Sequence, residues 1–206
     1  MIKNIIFDFG DIFINLDKTA TAKAMHSFGY TETTSELDNL FKDYEKGIIS
    51  SGQFLSTTKR IFPNATKDDL IKAWNAILLD FPDYRLKFLE ELDASKKYRL
   101  FLLSNTNDLH IEFVKKQMGA AKYNRFKNCF EVFYLSYKIK MRKPDTEIFE
   151  FVLKENKLIA QETLFIDDTE ENTDAASKLG IKTWNLIVGK EAVSYTHLTL
   201  PTNREV

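Results

Sequence analysis

Three short apolar runs, none alternating and each stopping in polar residues, constrain this chain more than any other feature. Ile5-Ile6-Phe7 ends at Asp8, followed by Phe9-Gly10-Asp11; Leu100-Phe101-Leu102-Leu103 ends in Ser104-Asn105-Thr106-Asn107; Leu164-Phe165-Ile166 ends in Asp167-Asp168-Thr169. Bulky apolar residues without polar alternation read as strands buried on both faces, the pattern of a parallel sheet covered by helices. In an open parallel sheet, ligands collect outside the carboxyl ends of the strands, which is where these polar residues fall. Asp8 alone would pass for an ordinary turn residue. Three strand ends of this kind together point to a site.

Between the first two runs the punctuation is helical. Asp17 can cap a helix over 18–28 that Gly29 stops, Ser35 a helix to about Lys46 before Gly47, and Ser50 or Ser51 a short helix closed by Pro63. Thr66 can cap a helix over 67–80, where Leu70, Ile71, Trp74, Ile77 and Leu78 form an amphipathic stripe. An all-helical stretch of about 65 residues is long for a simple crossover and predicts a small domain of its own. Tyr84 to Leu92 gives a helix leading back to the sheet. From Tyr98 on, strands alternate with helices, as in parallel βαβ units with right-handed crossovers. The expected strands are 99–103, 132–135, 163–166 and 182–186.

Met141-Arg142-Lys143-Pro144 lies between the second and third runs, its proline restricting the backbone to an extended or turn geometry. Asp, Ser, Lys and a paired Asp, in that order, resemble the four motifs of the haloacid dehalogenase-like (HAD) hydrolase superfamily. Ser104-Asn105-Thr106-Asn107 and Met141-Arg142-Lys143-Pro144 are most similar to those of its small sugar-phosphate phosphatases with a helical, C1-type cap. The resemblance covers roughly residues 1 to 188. It implies an α/β chain with a Rossmann-like three-layer α/β/α core built on a parallel sheet, formed by residues 1–16 and 95–190, and a small helical cap domain inserted at 17–94. Such a cap closes over the site, excludes water and selects the substrate.

The resemblance implies that Asp8 is the nucleophile, attacking phosphorus to give an aspartyl-phosphate that water then hydrolyses. A carboxylate facing a phosphate dianion needs the repulsion removed, the task of a bound Mg²⁺. Its oxygen ligands would come from Asp8, the Gly10 carbonyl and Asp168, with Asp167 close by. Ser104 and the adjacent backbone, Asn105 included, would bind the phosphoryl oxygens, and Lys143 would neutralise charge on phosphate and nucleophile. Asn172 could orient a metal-bound water or Lys143, and Tyr44, Glu45 and Lys46 could reach a substrate hydroxyl. One position departs from the pattern: the second Asp that usually acts as general acid and base is Gly10 here. Asp11 follows at once, though a shift of one residue generally turns a side chain elsewhere. The acid is Asp11, a water, or absent; losing one typically costs about 10² to 10⁴ in rate.

The expected activity is therefore that of a Mg²⁺-dependent phosphomonoesterase for a small phosphorylated metabolite, sugar phosphates among the candidates. Metal-free dehalogenase chemistry is the second reading, against which the Asp167-Asp168 pair argues. The third is a phosphate- and metal-binding regulatory module with poor turnover, motivated by Gly10. With 29 basic and 30 acidic residues the net charge is -1, which predicts no pull toward nucleic acid or membranes. The first apolar run is interrupted by Lys3 and Asn4, unlike a signal peptide, and Cys129 is the single cysteine, so a reducing, cytoplasmic location is expected. Residues Ser194 to Val206 show no amphipathic continuation of the fold. They read as a non-native tail, and His197 within them carries no functional weight.

Overall fold

The computed structural model describes residues 1–193, so the expected non-native tail at 194–206 lies outside the described residues. In chain order the elements are β1 (Asn4–Phe7), α1 (Ala20–His26), α2 (Ser35–Glu45), α3 (Ser51–Ile61), α4 (Lys67–Asn75), α5 (Asp83–Ala94), β2 (Arg99–Ser104), α6 (Asp108–Met118), α7 (Ala120–Asn128), β3 (Val132–Leu135), α8 (Ser136–Ile139), α9 (Thr146–Glu155), β4 (Thr163–Asp167), α10 (Glu170–Ser177) and β5 (Lys182–Asn185). The strands form one parallel sheet in the order β3-β2-β1-β4-β5. Strand β1 is central and every residue in it is buried, which is why its sequence is apolar on both faces.

Register sorts the side chains into two layers. Ile5 and Phe7 join Leu100, Leu102, Leu164 and Ile166 on one face, packed against α5, α6 and α7. Ile6 joins Phe101, Leu103 and Phe165 on the other, packed against Ile148, Phe149 and Val152 of α9 and Ala175 and Ala176 of α10. This is the three-layer α/β/α arrangement. Each large apolar side chain so buried contributes about 1.5–3 kcal/mol, and together they hold the strand ends in fixed positions.

Helices α1 to α4 surround a third cluster, with Met25, Leu37, Tyr44, Phe54, Phe62 and Leu70 at its centre. Helix α5 instead packs with the sheet through Leu86, Phe88, Leu89 and Leu92. By packing, the helical insert therefore ends near Asp80 and not at the expected boundary of 94. Two helices are shorter than the sequence pattern predicts. The one expected over 67–80 stops at Asn75 because residues 76–80 pair with the chain leaving β1: Asp17 N–H donates to Ile77 O at 2.9 Å and Leu79 N–H to Asn15 O at 2.9 Å, around an antiparallel Leu16–Leu78 bridge. The one expected from Lys18 starts at Ala20, with Thr19 as its N-cap residue. Asp17 accepts from the Thr19 N–H at 2.9 Å and hydroxyl at 2.6 Å, which leaves Lys18 outside the helix. The two segments joining insert and sheet thus brace each other.

Candidate active site

The strand ends converge as the sheet topology requires. Asp8 extends β1, its N–H donating to Ile166 O of β4 at 2.9 Å, and Asp167 closes β4. The Lys143 ammonium lies between them, 2.7 Å from Asp8 Oδ1 and 2.6 Å from Asp167 Oδ2. All three are buried, Lys143 at 1% and Asp167 at 0% exposure. Burial works against the Lys143 charge, but the two carboxylates outweigh it and hold its pKa above the ordinary lysine value. Burial pushes the Asp8 carboxyl up to about 7, against the opposing pull of Lys143 and with added repulsion from Asp167.

Asp167 is saturated with donors. Besides Lys143, it accepts from the Thr169 N–H at 2.8 Å and from Asn172 Nδ2 at 3.1 Å on both oxygens. Asn172 therefore orients Asp167, one step removed from the Lys143 or metal-water contact expected of it. Asn105 makes a reciprocal clamp on the lysine's backbone: its Nδ2 donates to Lys143 O and its Oδ1 accepts the Lys143 N–H, both at 2.8 Å. The Asn105 side chain thus holds the lysine loop in place, while the phosphoryl contact expected there is that of the backbone. Ser104 is buried at the end of β2, its hydroxyl making only a 3.4 Å contact to Asn105 O.

Asp11 takes a left-handed backbone conformation, φ 53°. That turn brings its carboxylate back to the site: Oδ1 accepts the Leu16 N–H at 3.0 Å, and Oδ2 lies 3.5 Å from the Lys18 ammonium. Burial raises the Asp11 pKa, with the Leu16 N–H opposing it and Asp168 reinforcing it. A Cβ at Gly10 would stand 2.8 Å from Leu16 Cδ1, so a side chain there would have to move the end of Leu16. Its carbonyl accepts the Ile12 N–H at 2.5 Å.

Sequence reasoning missed Lys18. Its ammonium bonds Asp168 Oδ2 at 2.6 Å, which is possible because Asp17 and Thr19 start the helix one residue after it. The residues proposed to meet a substrate hydroxyl all have partners across the junction of insert and sheet. Tyr44 hydroxyl accepts the Leu109 N–H, Glu45 receives Arg142 at 3.1 Å, and Lys46 pairs with Asp145 at 2.8 Å.

Comparison with known proteins agrees with this geometry. The family model described as haloacid dehalogenase-like hydrolase matches residues 5–186. The chain belongs to that family. It is 28% identical over 190 residues to D-ribitol-5-phosphate phosphatase of Bacteroides thetaiotaomicron, covering 89% of this chain and 91% of the relative. A HAD family enzyme from the same organism, solved as a magnesium complex, superimposes with a TM-score of 0.85 at 35% identity, covering 96% of this chain and 99% of that one. A HAD-like family hydrolase from Porphyromonas gingivalis gives 0.84 at 27% identity, covering 96% and 97%.

The hydrolase's donor set suits a hard divalent cation. Carboxylate oxygens of Asp8, Asp167 and Asp168 lie within 4.8 Å of one another, and oxygen donors are what Mg²⁺ takes. Asp167 already receives four hydrogen-bond contacts, whereas Asp8 and Asp168 each receive one ammonium, that of Lys143 and Lys18 respectively.

Proposed function

We propose that this HAD hydrolase is a Mg²⁺-dependent phosphomonoesterase acting on a small phosphorylated metabolite through an aspartyl-phosphate. The observation that carries the reading is the buried Asp8–Lys143–Asp167 bridge beside Asp168: a nucleophile, a fixed cation and a metal-compatible carboxylate, its Oδ2 paired with Lys18, at one sheet edge. Magnesium held by Asp8, Asp168 and the Gly10 carbonyl, with Asp167 adjoining, would neutralise the phosphate and lower the repulsion between it and Asp8. Lys143, fixed by Asn105 and Asp167, keeps a positive charge against the transferring phosphoryl group, and Ser104 donates to its oxygens.

In the first step Asp8 Oδ bonds to phosphorus as the ester P–O bond breaks, and the departing alkoxide takes a proton from Asp11, whose raised pKa keeps it protonated for longer as pH rises. In the second, water attacks phosphorus, Asp8 leaves, and the water's proton returns to Asp11. The helical insert, as a cap, covers the site and excludes water from the first step. Sugar phosphates enter this reading through the D-ribitol-5-phosphate phosphatase relative. A cytoplasmic setting fits the lone Cys129, buried and with its thiol pushed up to about 11 by burial.

The test is phosphate release from p-nitrophenyl phosphate, with Mg²⁺ and with chelator, for the parent and Asp8→Asn. Its leaving group needs little protonation, so the assay reports on nucleophile and metal. Mg²⁺-dependent turnover that falls by roughly 10⁴ or more in Asp8→Asn is expected; equal turnover by the variant would remove Asp8 from the mechanism.

A further inference from the structure

A cavity of about 230 Å³ opens inside the helical insert, bounded at one end by Lys18 and Glu45. Both residues tie it to the catalytic edge, Lys18 through Asp168 and Asp11, Glu45 through Arg142 beside Lys143. Its walls are apolar, built from Met25, Phe41, Phe54, Phe62, Leu70 and Trp74.

The polar side chains in the lining already have partners within the protein. Tyr30 and Thr33 share a hydroxyl bond at 2.6 Å, Thr58 donates to Phe54 O at 2.8 Å, and the Thr21 hydroxyl contacts Trp74 O at 3.4 Å. His110 is committed on both nitrogens. Its Nε2 lies 3.1 Å from Trp74 O, a pure acceptor, so that nitrogen carries the proton and Nδ1 accepts from Asn107 Nδ2 at 3.1 Å. Trp74 Nε1 donates to Asn107 Oδ1 at 3.2 Å. A polyol body entering this space would meet few uncommitted partners beyond the Lys18 and Glu45 end, and each of its hydroxyls buried unpaired costs about 1–3 kcal/mol. An apolar body would gain about 0.8 kcal/mol per methylene. The volume also suits one, since a dry apolar cavity of about 150 Å³ takes up benzene.

We propose that this chamber holds the leaving-group body, and that the preferred substrates are phosphomonoesters of apolar alcohols, not of polyols. The proposal rests on the phosphomonoesterase reading and narrows it to a substrate class. Pentyl phosphate and D-ribitol 5-phosphate separate the two cases, because both are primary alkyl esters with five carbons and differ in the hydroxyls. The experiment measures kcat/KM with Mg²⁺ for these two, for ethyl through octyl phosphate, and for p-nitrophenyl phosphate.

The expected result is a rise of about threefold or more per methylene until the cavity is full, with pentyl phosphate ahead of the ribitol ester by about a hundredfold. Ala22→Phe, which fills the chamber from a half-buried position on α1, should flatten the series, and the milder Ala22→Val should shorten it. A ribitol ester equal to or better than pentyl phosphate overturns the proposal while the phosphatase stands. No Mg²⁺-dependent release from any ester, p-nitrophenyl phosphate included, overturns the phosphatase reading itself and this proposal with it.

Discussion

The sheet edge and the interior of the helical insert handle polar groups in opposite ways. At the edge, charged side chains are buried and hold one another: Lys143 between Asp8 and Asp167, Asn172 and Thr169 on Asp167, and Lys18 on Asp168. Around the cavity of the insert, hydroxyls, the His110 imidazole and the indole N–H each have a partner within the protein, and most of the wall between the Lys18 and Glu45 end and the far side is hydrocarbon. The first arrangement suits the part every phosphomonoester has in common. The second, on our proposal, discriminates among the groups attached to it. Binding and selection can therefore be altered separately, because the two regions share few residues.

Three substitutions or conditions probe that separation. Lys143→Met should have the largest effect, since it strands two buried carboxylates on which one ammonium was spent; we expect about 3–5 kcal/mol lost in urea unfolding and turnover of p-nitrophenyl phosphate down about a thousandfold. Retained stability would show that Asp8 and Asp167 can be satisfied without the lysine. Leu70→Ala, at 2% exposure in the insert, should cost about 2–3 kcal/mol and extend the chain-length series toward longer esters, without the Mg²⁺ requirement changing. A changed Mg²⁺ requirement would break the separation.

The smallest effect concerns pH. Because burial raises the Asp8 carboxyl from 3.8 to about 7, its contribution to stability is present below its ordinary pKa and is lost as pH rises through about 7. In chelator, the parent should therefore melt at a lower temperature at pH 8 than at pH 5 by more than Asp8→Asn does, the amide having no proton to lose. Parallel melting profiles for the two proteins would mean that Lys143 holds Asp8 ionised throughout.

Much of this site was legible because strand ends in a parallel sheet are marked twice, by the apolar run and by the polar residues that stop it. Asp8, Ser104, Asp167 and Asp168 are readable in that way, and Lys143 through the motif around it. Asp11 was harder. A one-residue offset predicts that its side chain points away, and only the left-handed turn at φ 53° reverses that. The Asn105 clamp on Lys143's backbone and the Glu45–Arg142 pair were not legible, because a sequence shows polar side chains without showing which partners distant in the chain they meet.

The sequence by itself determined the parallel sheet, the order of its catalytic strand ends and the helical character of residues 17–80, because each follows from local hydrophobic period and chain punctuation. Tertiary structure alone decided where α4 stops and α1 starts, and what their released residues do. Residues 76–80 give up helical hydrogen bonds to pair with 15–17, and Lys18 stays outside α1 to reach Asp168. It also decided that the cavity is apolar. Sequence is silent on the partners of Thr58 and His110, and those partners, Trp74 O among them for His110, determine whether a buried polar group remains available to a substrate.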